Sequence, residues 1–302
     1  MKRLKISTNE LAEICGVSQG TVDRALNNRD GINVNTKEHI LRIAKEYGYR
    51  PYVSDNADKI KGQIGIIVSN LRGEYFQKLV TETEYILHDM NYAPAIMLSH
   101  GDRRKEIECI RSLYNMGVDG LIVCSVNGGQ EFENYLKLFD VPVVVTGNQL
   151  NSVPYVGVDN YRAMYDFTTE LLKDCYDEII YFSPTVYGNT NNESARIERL
   201  EGFKAAMGNR EFTFYDDPDK VPVEHSGKTL IVCFNDSWAV KLFFKVKNAY
   251  ITGFDNTDAL DRYHLKIDSV GYSMKEIAQG AMDVIMKKSK VNKYVEHYIV
   301  KR

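Results

Sequence analysis

The spacing of apolar residues changes character near residue 60. Before that point apolar positions recur only in short stretches at helical intervals, whereas from residue 63 onward Val/Ile-rich runs alternate with longer amphipathic stretches. Strand-like runs occupy 63–69, 93–99, 119–125, 142–146, 155–159, 178–183, 211–215, 229–234, 249–254 and 294–300. Helical periodicity fills most of the intervals, over 75–90, 104–116, 131–138, 161–174, 193–207, 237–247 and 274–288. Unbroken runs such as Ile64-Gly65-Ile66-Ile67-Val68 and Leu121-Ile122-Val123 predict strands buried on both faces, hence parallel sheets covered by helices. So many strands exceed an ordinary open sheet, which predicts two doubly wound α/β lobes.

The first fifty residues predict a separate all-α unit. Ser7-Thr8-Asn9-Glu10 forms a capping box ahead of Leu11, Ile14 and Cys15 on one helical face, and Gly16 ends that helix. Val17-Ser18 then staples and caps a second helix carrying Thr21, Val22, Arg24, Ala25 and Leu26. A third helix is predicted to start at Asn35, with Glu38 reaching back and Ile40, Leu41, Ile43 and Ala44 closing the small core. Two short helices around Gly16-Val17-Ser18 make a helix-turn-helix, which inserts the start of its second helix into the major groove. Gln19 suits adenine and Arg24 guanine, and Gly20 leaves room for close approach. Asp23 has two readings: it accepts from a cytosine amino group or orients Arg24, or it is merely a solvated or an Arg24-paired carboxylate. Ser7, Ser18, Thr21 and Asn27 complete the expected DNA-contacting set.

Charge supports this division only after the chain is split. The total of −3 over 302 residues argues for no nucleic-acid partner. Residues 1–50, however, hold nine Lys/Arg against six Asp/Glu, net +3, leaving −6 on the remainder. So small a charge neutralises few phosphates, so tight binding calls for two heads on one homodimer. Five scattered cysteines without a CxxC, and six histidines outside any metal spacing, signal neither a redox pair nor a metal site. No nucleophile elbow, P-loop or dinucleotide loop follows a strand, so neither catalytic residues nor a cofactor are expected. A polar N-terminus and the lack of a long apolar run predict neither signal peptide nor membrane span, hence a cytoplasmic protein without a membrane partner.

The stretch Ser7-Thr8-Asn9-Glu10-Leu11-Ala12-Glu13-Ile14-Cys15-Gly16-Val17-Ser18-Gln19-Gly20-Thr21-Val22-Asp23-Arg24-Ala25-Leu26-Asn27 closely resembles the signature of the LacI/GalR family of bacterial transcriptional regulators, and the likeness continues to Tyr49-Arg50-Pro51. The resemblance implies a head over 1–50, a hinge over 51–63 and a two-lobed core of the type I periplasmic-binding-protein kind over 64–302. The expected N-lobe comprises 64–158 and 272–290, and the C-lobe 159–271 and 291–302. Family hinges are basic and wedge a Leu into the minor groove. Here Ala57 and Ile60 keep the spacing but Asp55 and Asp58 replace basic residues, so Ile60 is either the wedge or part of a plain linker.

Ligands of doubly wound lobes bind at the carboxyl ends of strands. Asn70, Ser125, Asn148 and Asp159 follow such strands, with Asn160 expected to cap the next helix. Tyr75 or Phe76 stands where the family places an aromatic against its sugar, although an aromatic opening a helix also suits a core. The resemblance makes Arg199, within Arg196-Ile197-Glu198-Arg199-Leu200-Glu201-Gly202-Phe203, a clamp on the ligand. It makes Asn235 of Asn235-Asp236 face the ligand while Asp236 opens a helix, and Asp255 of Gly253-Phe254-Asp255-Asn256 accept from hydroxyls. Trp238 fits core or cleft, and Tyr272 stands where relatives often carry Gln. Together these features imply a sugar-responsive repressor of a carbohydrate-utilisation operon. The alternatives are a purine, another metabolite or a protein adaptor as effector, or a solute-binding sensor whose head no longer reads DNA.

Overall fold

The computed structural model describes residues 6–49, 60–184, 190 and 192–302. The chain divides into two compact units, residues 1–59 and 60–302.

In the first unit, α1 (Thr8–Cys15) begins at Ser7, whose Oγ accepts from the Glu10 N–H (3.2 Å) while Glu10 Oε2 accepts from the Ser7 N–H (2.6 Å). The helix ends at Gly16 with φ 66°, a left-handed conformation that glycine adopts without steric cost. The second helix, α2 (Gln19–Leu26), is capped by Ser18 through the Thr21 N–H (3.2 Å). The third, α3 (Val34–Glu46), starts one residue before the expected Asn35, because Asn33 Oδ1 accepts the Asn35 N–H (2.9 Å) and is the cap. Leu11, Ala12, Cys15, Val22, Ala25, Ile40 and Ala44 form the core of this unit. The expected hinge lies outside the described residues except at its end, where Ile60 is exposed.

The second unit opens with β1 (Gly62–Val68), α4 (Glu74–Met90), β2 (Tyr92–Leu98), α5 (Arg103–Asn115), β3 (Gly120–Val123), α6 (Gln130–Leu136), β4 (Val143–Val145) and β5 (Val156–Val158). The next elements are α7 (Asn160–Leu171), β6 (Glu178–Phe182), α8 (Ser194–Met207), β7 (Thr213–Tyr215), β8 (Glu224–Cys233), α9 (Asp236–Lys245), β9 (Lys247–Thr252) and α10 (Asp258–Arg262). It closes with β10 (Ser269–Tyr272), α11 (Met274–Lys287), β11 (Lys293–Val295) and β12 (His297–Val300). Two parallel four-stranded sheets, ordered β2-β1-β3-β4 and β7-β6-β8-β9, are the cores of two lobes. Ile66, Ile67, Ile122 and Val123 in one sheet and Ile180, Ile231 and Val232 in the other are fully buried, as strands covered on both faces require.

The run expected as a single strand over 294–300 is two strands. β11 pairs with β5 beside the first sheet, while β12 pairs antiparallel with β10 beside the second. The chain therefore crosses between lobes three times, after β5, after β10 and at Glu296. An alternating apolar pattern cannot reveal this break, because both halves keep strand periodicity. Among the described residues no helix is long and apolar enough to cross a membrane.

Candidate functional site

The carboxyl ends of both sheets face a cleft in which two cavities flank a plug of the chain's own side chains. Arg199 on α8, only 6% exposed, is the centre of that plug. Its Nε donates to Asn160 Oδ1 (2.9 Å), Nη1 to the Phe234 carbonyl (2.9 Å) and Nη2 to Asp255 Oδ1 (3.2 Å). Its guanidinium lies 3.6 Å from the Phe254 ring centroid, a cation–π contact in a desolvated setting. The Tyr272 hydroxyl also donates to Asp255 Oδ1 (2.8 Å). Burial pushes the Asp255 carboxyl above its ordinary range, against the downward pull of Arg199 and Tyr272. Helix α8 reaches this position because Gly202 meets α7 backbone: a Cβ there would sit 2.2 Å from the Tyr161 carbonyl oxygen.

Asp255 and Asn256 have φ of 107° and 45°, conformations costly for non-glycine residues. The surroundings fix both. The Asp255 N–H donates to the Val270 carbonyl (2.9 Å), the Asn256 N–H to Ser269 Oγ (3.0 Å), and Arg302 Nη2 to Asn256 Oδ1 (2.6 Å).

The larger cavity, about 950 Å³, is lined by Asn70, Arg72 and Phe76 after β1, His100 after β2, Asn148 after β4, and Arg196 and Phe234 from the C-lobe, among others. The smaller, about 640 Å³, lies between the start of α4 and the 255–258 loop, against Tyr75, Lys78, Asp255 and Tyr272. The lobes are latched beside the larger cavity. Asn148 donates to the Asn192 carbonyl (3.1 Å) and accepts the Ala195 N–H (3.1 Å), Ser194 Oγ accepts the Gln149 N–H (2.6 Å), and Thr190 Oγ donates to the Val126 carbonyl (2.8 Å). Beside the smaller cavity Lys78 pairs with Asp258 (2.6 Å).

Several expected side chains have other partners. Asp159, not Asn160, caps α7 by accepting the Arg162 N–H (2.9 Å), and Asn160 instead bonds Arg199 and Glu198. Asn235 Oδ1 is occupied by the Trp238 N–H (3.1 Å) as the cap of α9. Ser125 is buried and donates to Glu106 Oε1 (2.8 Å), and Trp238 packs on Phe182 with ring centroids 5.4 Å apart. None of these lines either cavity. Asn70 lines the larger one while its Oδ1 accepts the Arg72 (2.8 Å) and Gly73 (3.1 Å) N–H groups. Tyr75 bonds Thr146 (2.8 Å), and Phe76 meets Tyr75 edge to face.

Two positioning residues escaped the sequence reading. Glu106, fully buried on α5, accepts from the Val126 N–H (2.6 Å), the Ser125 hydroxyl and the Asn127 amide (3.2 Å). Glu133 on α6 accepts from the Asn151 (3.0 Å) and Ser152 (2.9 Å) N–H groups. Each carboxylate holds a loop that the latch uses. Their signal was a Glu on the apolar stripe of its helix: Glu106 shares a face with Cys109, Ile110 and Leu113.

Asp236, the first residue of α9 and 1% exposed, accepts from the Ser269 hydroxyl (2.6 Å) and the Thr257 N–H (2.6 Å). Burial, helped by the charge of Asp255, pushes its carboxyl up to about 7. The unfolded chain releases this proton near pH 4, roughly the ordinary aspartate value, whereas the folded chain holds it until near neutrality. The folded state binds the extra proton in between, so stability falls as pH rises through that window, by about 4 kcal/mol from this group. Asp236→Asn is expected to flatten that slope in urea-unfolding series; an unchanged slope would assign it to other groups.

In the first unit, Gln19, Gly20, Arg24 and Asn27 are exposed along α2, and Thr21 bonds the Ser18 cap (2.8 Å). Asp23 is paired with Arg29 (3.1 Å) and Asn27 (2.7 Å) rather than with Arg24, so its charge is offset and Arg24 stays available.

Two family descriptions match the sequence: "Bacterial regulatory proteins, lacI family" over residues 8–52, and "Periplasmic binding proteins and sugar binding domain of LacI family" over residues 61–217. The HTH-type transcriptional regulator RegA of Clostridium saccharobutylicum is 26% identical, covering 98% of each chain. Catabolite control protein A of Priestia megaterium is 24% identical over 94% of this chain and 92% of its own. Among solved structures, the Lac repressor bound to ONPG aligns with a TM-score of 0.68 at 16% identity, and a transcriptional regulator CelR–cellobiose complex with 0.64 at 18%, each covering 99% of both chains.

Proposed function

The chain belongs to the LacI family of bacterial regulatory proteins, and from that premise we propose that it is a cytoplasmic, homodimeric repressor of a carbohydrate-utilisation operon, switched by a small sugar held between its lobes. The observation that carries this reading is a latched, two-lobed cleft on the same chain as a helix-turn-helix. A ligand that bridges the lobes favours their closed arrangement by the difference in its contacts with the two states. Two heads on one dimer read half-sites about 34–36 Å apart, so a small change in lobe geometry is felt as a change in operator affinity. The head is assigned to 1–50, the hinge to 51–63 and the core to 64–302. Gln19 and Arg24 are its base readers, Gly20 the point of close approach, and Ser7, Ser18, Thr21 and Asn27 its backbone contacts, with Asp23 held off the phosphates by Arg29.

Fluorescence anisotropy on a palindromic site from the gene's own upstream region, with and without candidate sugars, tests this. Affinity should fall steeply with salt and shift about 5- to 150-fold with the effector. Absence of salt-sensitive, sequence-specific binding under every ligand condition would overturn the regulator.

A further inference from the structure

We infer that the ligand of the larger cavity carries a negative charge, as a phosphorylated or carboxylated sugar, with Arg72 and Arg196 as its anion contacts. This rests on the reading of the cleft as the effector site. Among the described residues the larger cavity's charged lining is two guanidiniums, Arg72 from the N-lobe and Arg196 from the C-lobe, against one carboxylate, Glu193. Glu193 and Arg196 are paired with each other, Arg196 donating from both Nε (2.7 Å) and Nη2 to Glu193 Oε2, so that among the described residues only Nη1 of Arg196 is left over for a ligand. Among the described residues Arg72 is exposed and forms no ion pair. The carboxylate that the family resemblance assigns to sugar hydroxyls, Asp255, lies on the smaller cavity, with Oδ1 engaged by Arg199 and Tyr272.

A neutral sugar presents several hydroxyls that each need an acceptor, and carboxylates supply these most strongly. The free groups here are of the opposite kind. The amides of Asn70 and Asn148 each spend their oxygen on backbone N–H groups, whereas the fork of Arg72 matches a phosphate or carboxylate in geometry as well as charge and Nη1 of Arg196 adds one donor from the other lobe. The smaller cavity has the reverse balance, with Glu74, Glu82, Asp255 and Asp258 against Lys78, Arg262 and Lys275. Phe76 and Phe234 offer an apolar face from either lobe for a sugar ring. Because Arg72 and Arg196 belong to different lobes, an anion between them contacts the closed arrangement in a way the open one cannot reproduce.

The test uses the full-length protein in calorimetric titrations with matched probes: glucose, glucose 6-phosphate and glucuronate, the corresponding galactose and fructose series, and inorganic phosphate alone. At least one phosphorylated or carboxylated member should bind more than about tenfold tighter than its neutral parent. Arg72→Ala and Arg196→Ala should each remove about 10- to 100-fold of that affinity, as expected for charge-assisted hydrogen bonds, and cost the neutral parent sugar several-fold less than its anionic form. Preference for phosphate or carboxylate across a pair distinguishes the two sources of charge. Neutral parents binding as tightly as their anionic forms, or anionic forms indifferent to both substitutions, overturns the anion contacts while the cleft remains the effector site. No binding by any anionic member also overturns the inference, and the effector cleft itself falls only if neutral mono- and disaccharides too leave binding and operator affinity unchanged.

Discussion

Replacing Arg199 with Met is expected to lower the unfolding free energy of the core by about 3–5 kcal/mol, the usual cost of removing one partner from a buried ion pair. The guanidinium makes three hydrogen bonds and a ring contact. Met keeps the length of the side chain and much of its contact with Phe254, so the loss falls on the partners. Asp255, its side chain 13% exposed, keeps only the Tyr272 hydroxyl, and the Phe234 carbonyl and Asn160 Oδ1 lose their donor. Since a whole domain is stable by roughly 5–15 kcal/mol, this change alone reaches a third or more of the margin. Adding Asp255→Asn removes the uncompensated charge, so the double variant should be more stable than the sum of the two single losses by at least about 1 kcal/mol. Urea unfolding followed by circular dichroism measures all four states. Additive losses, or a single-variant cost below about 1 kcal/mol, would show that the plug is screened by water and contributes little.

How much of this site the sequence disclosed depends on how many demands each residue faces. Asp255 and Tyr272 stand at strand ends, which share one face of a doubly wound lobe, whereas Arg199 lies within α8 and was placed at the site by the family resemblance alone. Asp159 and Asn235 obey the same rule yet serve helix caps, because the residue that ends a strand is often the one that must satisfy the first N–H groups of the next helix. That competition also decided between Asp159 and Asn160. Choosing the neighbour as the cap sends Asn160 into the buried network, where it orients Arg199. Glu106 and Glu133 were legible only in part. A Glu on an apolar helical stripe signals a buried carboxylate, but its partners are backbone N–H groups 18–20 residues further along, and no local pattern says which distant loop uses it. The two short strands around Glu296 were hidden because separating them requires knowing that two lobes compete for consecutive residues.

The head was far more legible, and for the same physical reason it is fragile: caps and one small core determine it almost entirely. Of the seven buried residues in its core only Leu11, Val22 and Ile40 are larger than alanine or cysteine. A unit of this size buries a small fraction of its surface, and at roughly 0.05–0.15 kcal/mol per residue its stability amounts to only a few kcal/mol. Leu11 is fully buried, and Leu11→Ala costs about 2–5 kcal/mol through lost transfer energy and the cavity left behind. The substitution is therefore expected to unfold most heads at 37 °C and to weaken operator binding by more than about 100-fold, while the unfolding transition and sugar affinity of the core stay where they were. Gln19→Ala offers the contrast. Its side chain is exposed at the start of α2, so removing it should leave the head folded and relax base discrimination by about 1–3 kcal/mol at one position of each half-site. Anisotropy titrations on operator and scrambled DNA, paired with calorimetric melting of the full chain, separate the two. Operator binding by the Leu11 variant within a few-fold of the parent would mean that DNA contact itself supplies the missing folding energy, and the head's small core would then no longer set its affinity.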